Sequence, residues 1–464
     1  MFAGKKIGIL GMGEAGRAAA KWLKAQGGVL SCYDDKAPTA IPDSFVKWCR
    51  ENQVDLCQTK DVDRAQFAQM ELLVVSPGVP PWHPFLEECQ RNGIAVVGEL
   101  YLAASMWKGP MVGITGTNGK TTTTFLASHL IGEAGVKNVY AGNISPSLFE
   151  VMDKNDGETC AVLEISSFQL EYFPDSPVHG LDVPGFACGV CLNVAPDHLD
   201  RHGDMDGYKK AKEKLFSFVD EDGFAVLGEG AQDFKVKSRP VFLKDVQVDE
   251  EALRMFIPTG DETVEVDISS WPLMGRHNME NLAAAIVAGM SVGASVDAME
   301  KAMGRFKIPP YRLEKVASVK GVEFINDSKA TNIHAVITGL KAVPRGQVVL
   351  IAGGRVKGED FSLLARQLRE LGNGNGPKVK AVVLIGEAAQ EMAKELEEVV
   401  GEKRIVTGTD GQDVMERAVS EAFSMASEGD KIMLSPACAS FDLFNNYKAR
   451  GEAFNRAVQR IVRD

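Results

Sequence analysis

A strand-like run, MVGIT (111–115), passes through a glycine turn, GTNGK (116–120), into a helical pattern that continues to about Ala134. A glycine-rich turn between a strand and a helix confines this part of the chain to an α/β layer and gives it the context of a phosphate loop. The spacing departs from the strict pattern G-x-x-x-x-G-K-[ST], because Ile114 stands where the first glycine belongs and the nearest glycines are Gly113 and Gly116. The chemistry is nonetheless complete. Gly116 and Gly119 let backbone N–H groups approach phosphate, Lys120 can reach the β and γ phosphates, the Thr121 hydroxyl suits Mg²⁺, and the helix N-terminus adds partial positive charge. The plainer alternative is a glycine turn capped by threonines; we read the stretch as an ATP site.

The α/β pattern extends in both directions. KIGIL (6–10), VLSCY (29–33), LLVVS (72–76) and IAVV (94–97) predict strands, with helices between them at Ala15–Gln26 and Pro84–Asn92, the alternation of a parallel sheet. KGP (108–110) suits a linker. After the loop, CAVLEI (160–165) and FACGVCLNV (186–194) predict strands, FAVLG and ETVEVD give strand signals in a less regular part, and a helix begins near His277. KIPPYR (307–312) marks the next boundary, beyond which VEFIND, QVVLIAGG, KAVVLIGE, RIVTG and DKIMLSP repeat the strand-helix alternation, with GNGNGP (372–377) as a loop. A chain of 464 residues exceeds what one core serves, so three α/β domains are expected.

Charge narrows the partners. A net charge of −12 disfavours nucleic acid and anionic membrane, which leaves a small molecule. The start MFAGKKIGILGMGE has too short an apolar run for a secretory signal, and no later run reaches the roughly 20 residues of a spanning helix, so a cytoplasmic chain is expected. Cys188 and Cys191 form a C-x-x-C without a second pair, and as strand residues three apart they point to opposite faces.

Three further stretches bear chemistry. GILGMGEAGR carries the fingerprint G-x-G-x-x-G at Gly11, Gly13 and Gly16, with Asp34 and Asp35 ending the next strand; this geometry suits NAD or any other nucleoside diphosphate. Glu164 ends the strand CAVLEI, where a carboxylate can bind Mg²⁺, and His198 follows the next long strand. YKKAKEK (208–214) has the pattern of a solvated basic helix face.

GTNGKTTT, LEISSFQLE, NVAPDHLDRHG, HNMEN, NDSKATN and SPACASFDLF, in that order over nearly the whole chain, make it resemble the Mur ligase family. NDSKATN and SPACASFD resemble the branch that adds D-glutamate, and the shortened loop GTxGKT is that family's variant. The resemblance implies a Rossmann-like domain for the UDP substrate (1–108), a phosphate-loop ATPase domain with a mostly parallel sheet (109–306) and a Rossmann-like amino-acid domain (307–464). It implies an ATP-dependent ligase of peptidoglycan precursor synthesis. In the reaction the resemblance implies, the carboxylate of UDP-N-acetylmuramoyl-L-alanine would become an acyl phosphate, which the amino group of D-glutamate would attack.

By position, the resemblance assigns Gly116, Thr117, Asn118, Gly119, Lys120, Thr121, Thr122, Asn278, Asn281, Arg312 and Asp327 to ATP, and Thr121 and Glu164 to a first Mg²⁺. It assigns His198 to a second Mg²⁺, and Lys212 to a CO₂-derived carbamate that serves as an anionic metal ligand; Lys209, Lys210 and Lys214 keep the solvated reading. Gly11, Gly13, Glu14, Ala15, Gly16, Asp34, Asp35, Ser76, Gly78 and Asn143 would hold the UDP substrate. Lys329, Thr331, Lys357, Ser440, Phe441 and Tyr447 would meet the amino acid, the two lysines suiting a dicarboxylate. Ala15, Ser145, Val356 and Tyr447 depart from the family's usual residues. Site residues dispersed over three domains imply closure around a water-sensitive acyl phosphate, in a chain that can work as a monomer. A sister ligase would keep Lys120, Glu164, His198 and Lys212 but lack the lysine pair. An NAD oxidoreductase leaves the second glycine loop without purpose, and a non-catalytic nucleotide-binding module needs neither His198 nor Lys212.

Overall fold

The computed structural model describes residues 1–62, 69–174, 178, 180–183, 185–260, 262–273, 275–307, 310–343, 346–356, 360–373 and 376–463. Its contacts divide into two compact units, the first comprising Met1–Val194, Met205–Pro272 and Met279–Phe306, the second Ala195–Asp204, Leu273–Asn278 and Lys307–Asp464.

The first unit opens with a five-stranded parallel sheet in the order Asp55–Gln58, Val29–Asp34, Lys6–Leu10, Leu72–Val75, Ala95–Gly98. The chain winds to one side from the central strand and then returns to the other, so a topological switch falls between Leu10 and Val75, the place where such sheets open a ligand crevice. Helix Glu14–Ala25 packs Ala18, Ala19, Ala20 and Leu23 on the sheet. Gly16 permits this approach, since a Cβ there would come within 2.0 Å of the Gly11 carbonyl oxygen.

The second sheet has six parallel strands in the order Arg239–Phe242, Val219–Glu229, Phe186–Asn193, Met111–Thr115, Cys160–Glu164, Asn138–Gly142. Every residue of Met111–Thr115 and of Cys160–Glu164 is buried, as unbroken apolar runs in a sheet covered on both faces require. Cys188 and Cys191 lie buried in their strand, and burial pushes the Cys191 thiol up to about 11, which suits core thiols better than metal ligands. A small antiparallel sheet, Gln247–Asp249, Arg254–Pro258 and Thr263–Asp267, accounts for the irregular part of the pattern.

One core runs from Phe2 through Trp107 to Phe234, joining the flanks of the first two sheets. Lys108–Pro110, expected as a linker, is therefore a packed junction. Lys108 N donates to Asn155 Oδ1 at 2.8 Å, buried Trp107 donates to the Thr159 carbonyl at 3.2 Å, and a Cβ on Gly109 would lie 2.2 Å from that carbonyl oxygen.

The second unit holds a six-stranded sheet ordered Glu314–Val319, Val322–Asn326, Lys431–Leu434, Gln347–Gly353, Lys378–Ile385, Glu402–Val406. Its first pair is antiparallel and the rest are parallel. Asn326 pairs with Leu434, so the stretches NDSKATN and SPACASFDLF leave neighbouring strand ends. Among the described residues no helix is long and apolar enough to cross a membrane.

Candidate active site

In the central sheet the strands ending at Thr115, Glu164 and Asn193 lie side by side, Thr115 paired with Cys191 and Ile114 with Glu164. The turn after Thr115 leads into helix Lys120–Glu133, whose N-cap Gly119 has φ +85°. A Cβ at Gly119 would meet Asn281 Oδ1 at 2.8 Å, so glycine serves both the left-handed conformation and the close approach. Asn193 braces the loop from the neighbouring strand. Its carbonyl accepts from Thr117 N (2.8 Å), its Oδ1 from Asn118 N (2.8 Å), and its Nδ2 donates to Asn118 O (3.2 Å).

Two lysines converge on this loop. Lys120 Nζ donates to Gly116 O (2.7 Å) and Thr117 O (2.9 Å), and Lys212 Nζ to Gly116 O (3.0 Å). Lys212 is 1% exposed on helix Met205–Glu213, 4.5 Å from the centre of the Tyr208 ring, whose hydroxyl lies 3.2 Å from Thr117 Oγ1. Lys209, Lys210 and Lys214 are exposed or half-buried, so the solvated-face pattern holds for them and fails for Lys212. Cationic nitrogens and N–H groups gathered at a helix start form an anion site.

Thr121 is buried at the same helix start, and Glu164 is 1% exposed. Glu164 Oε1 accepts from Asn143 Nδ2 at 2.9 Å, while Oε2 is buried without a hydrogen-bond partner. A buried carboxylate oxygen lacking a donor suits a hard cation. Among the described residues no three His, Cys, Asp or Glu side chains cluster as a metal cage. Asn281 accepts from Thr123 Oγ1 (3.1 Å), which ties helix Arg276–Ser291 to the loop helix, with Asn278 three residues earlier on the same helix.

A cleft of about 480 Å³ opens at the switch point of the first sheet. Of the residues assigned to the UDP substrate, Gly11, Gly13, Glu14, Ala15, Asp34, Asp35, Ser76, Gly78 and Asn143 line it. Gly16 instead packs behind the loop. Ser76 Oγ donates to Gly11 O (2.7 Å), and the Asp34 carboxylate accepts from Met12 N (2.6 Å) and Lys36 N (2.9 Å), so both residues hold the loop in shape. Asp35 accepts from Thr59 Oγ1 (2.6 Å) and lies 3.1 Å from His83 Nε2; these bonds hold its carboxyl below the usual range.

In the second unit, His198 has φ +55°, half-buried, with Nε2 3.6 Å from Asp197 Oδ2, which accepts from Asn332 Nδ2 at 3.0 Å. Asp327 is buried, accepting from Ser435 Oγ (3.0 Å) and Leu313 N (3.3 Å). Burial raises its pKa to about 7 against the pull of these bonds and of the Arg312 charge. Lys329 Nζ lies 4.0 Å from the centre of the Tyr447 ring, Ser440 is buried and Phe441 is 63% exposed. Thr331 is half-buried, and Lys357 lies outside the described residues.

Arg450 gives this region its shape. The guanidinium is 1% exposed and donates to Ser328 Oγ (3.1 Å), Ser328 O (2.9 Å), Cys438 O (3.1 Å) and Ala439 O (3.2 Å), clamping the two loops that carry Lys329 and Ser440. Arg450→Ala leaves four buried acceptors short of donors and is expected to lower stability by at least about 3 kcal/mol, read by chemical denaturation. Asn193, Tyr208, His83, Lys36 and Arg450 carry no signal of their own in the sequence; for Asn193 and Tyr208 the available hint is their place inside NVAPDHLDRHG and YKKAKEK.

Known proteins match this architecture throughout. Residues 5–98 match the family described as Mur ligase MurD-like, N-terminal domain, residues 114–289 the Mur ligase middle domain, and residues 311–438 the Mur ligase, glutamate ligase domain. The UDP-N-acetylmuramoylalanine--D-glutamate ligase of Koribacter versatilis is 34% identical, the match covering 99% of this chain and 98% of the relative. The protein of the same name from Acidobacterium capsulatum is 36% identical, covering 98% and 96%. Among solved structures, a pseudomurein peptide ligase type C from Methanothermus fervidus superposes with a TM-score of 0.59 at 18% identity, covering 98% of this chain and 100% of that one. The MurF ligase from Thermotoga maritima in complex with ADP gives 0.54 at 15% identity, covering 99% and 96%. At these identities the two structures speak for the fold.

Proposed function

The chain belongs to the Mur ligase family and is an ATP-dependent acid–amino-acid ligase, and we propose that it joins D-glutamate to UDP-N-acetylmuramoyl-L-alanine through an acyl phosphate formed at the Gly116 loop. The observation that carries the phosphoryl-transfer roles is the convergence of Lys120 and Lys212 on that loop, with the orphaned Glu164 oxygen at the adjacent strand end. Relatives of the same name along the whole length favour D-glutamate over the amino acids of sister ligases.

The acceptor's carboxylate oxygen attacks the γ phosphorus, the bond to the β-phosphate oxygen breaks, and ADP leaves. The amine of D-glutamate then attacks the acyl carbon, the C–O bond to phosphate breaks, and the ammonium's protons pass to phosphate and solvent. The residues bind and orient. Backbone N–H groups of Gly119–Thr121, at the start of the helix, cradle the phosphates, and Lys120 turns from its loop carbonyls onto the β and γ oxygens. Thr121 and Glu164 would hold Mg²⁺, which would supply charge neutralisation on the phosphates. As a carbamate, buried Lys212 becomes an anion in place of a second cation beside Lys120; His198 is assigned separately as a metal ligand. The cleft at Gly11 holds the UDP end, and Lys329 and Lys357 bind the amino-acid carboxylates. We place the domain boundaries after residues 108 and 306 and the enzyme in the cytoplasm, acting as a monomer.

Acceptor labelled with ¹⁸O in its carboxylate tests the route. One labelled oxygen per released phosphate is expected, and phosphate without label would contradict an acyl phosphate.

A further inference from the structure

Glu99 is 2% exposed and starts helix Glu99–Met106, yet it lines the switch-point cleft together with Gln169. Gln169 Nε2 donates to Glu99 Oε1 at 3.0 Å. The opposite end of that amide is fixed, because Gln169 Oε1 accepts from Ser166 N (3.0 Å) and Ser166 Oγ (3.2 Å), the cap of helix Ser167–Glu171. A carboxyl is thus built into the wall between the Gly11 loop and Asn143 by a rigid, oriented amide. Neither residue is among those assigned above to ATP or metal.

We propose that Glu99, held by Gln169, is a substrate-positioning residue that acts as an uncharged acid, donating a hydrogen bond to a neutral oxygen of the sugar portion of the UDP substrate. This rests on the reading of the cleft as the UDP-substrate site. The argument is one of charge and place. The substrate carries a diphosphate at one end and a carboxylate at the other, and an ionised wall between them would repel both. Burial opposes ionisation and raises the carboxyl to about 7, although the Gln169 bond pulls the other way.

Charges on the packed elements leave that balance in place. Glu14, Arg17, Lys21 and Lys24 lie on the helix Glu14–Ala25, Glu150, Asp153 and Lys154 on the turn Leu148–Lys154, and Glu171 on the helix Ser167–Glu171. Strands Leu72–Val75 and Ala95–Gly98 present no titratable group, and Asp34, Asp35 and Lys36 line the same cleft. Among the described residues the hydrogen bond to the Glu99 side chain comes from Gln169 alone.

Calorimetric titration of the whole enzyme with UDP-N-acetylmuramoyl-L-alanine, without ATP, tests this. The neutral form persists below the raised pKa, so wild-type Kd should rise as pH climbs through about 7, by roughly 90-fold between about pH 6 and about pH 9. Glu99→Gln, permanently neutral and of the same shape, should bind with little change over that span. The wild type gives a second reading that needs no variant. At about pH 8, runs in buffers of different ionisation heat should show close to one proton taken up per substrate bound. Parallel pH profiles for wild type and E99Q, or binding without proton uptake, overturn the inference alone. Absence of binding by the wild type at every pH overturns the substrate reading and this inference with it.

Discussion

Lys120→Ala should lower D-glutamate-dependent phosphate release by roughly 1000-fold while binding of the UDP substrate stays within a few-fold. Lys120 is the ammonium at the head of helix Lys120–Glu133, reaching back to Gly116 O and Thr117 O, so its charge sits where the β and γ phosphates would lie. Its stem is half-buried and its partners are loop carbonyls, so alanine removes charge from the site with a modest effect on packing. The UDP-substrate cleft is lined by other residues, which is why the two readouts should separate. A loss of less than tenfold in turnover would place the phosphates elsewhere.

Glu164→Gln should move activity and stability in opposite directions. Glutamine keeps the acceptor for Asn143 Nδ2, but it replaces a buried carboxylate whose Oε2 has no donor with a neutral amide. Removing an uncompensated buried charge leaves the ligand-free protein at least as stable, whereas loss of an anionic metal ligand should lower turnover by about 100-fold or more and raise the Mg²⁺ required. Thermal melting without nucleotide and phosphate release across a Mg²⁺ series check the two halves. A variant that is destabilised yet fully active would make Glu164 a structural residue.

The parts of this site that are legible in the sequence are those whose meaning is local. Thr115–Thr121 is readable because the loop's chemistry lies in consecutive residues between a strand and a helix, and the structure puts the strand at Met111–Thr115. Strand Lys6–Leu10 and helix Glu14–Ala25 follow equally from period and punctuation. Lys212 shows the limit. Its neighbours have the same residue type, so the residue pattern does not separate them; the family resemblance singles out Lys212, and the fold buries it against Gly116. Glu99, Asn193 and Arg450 act through partners 70, 75 and 122 residues away in sequence, at Gln169, Asn118 and Ser328, and no periodicity encodes such a contact. The packed junction at Lys108–Pro110 is hidden for the same reason. A lysine, a glycine and a proline resemble a linker until Asn155 and Thr159 close on them.

The central claim is tested most directly by phosphate release from purified protein with Mg²⁺-ATP and UDP-N-acetylmuramoyl-L-alanine, comparing D-glutamate, L-glutamate and other amino acids, with the product weighed by mass spectrometry. The account predicts release that depends on D-glutamate and a new amide of the matching mass. Release driven by another amino acid, with none from D-glutamate, would contradict it.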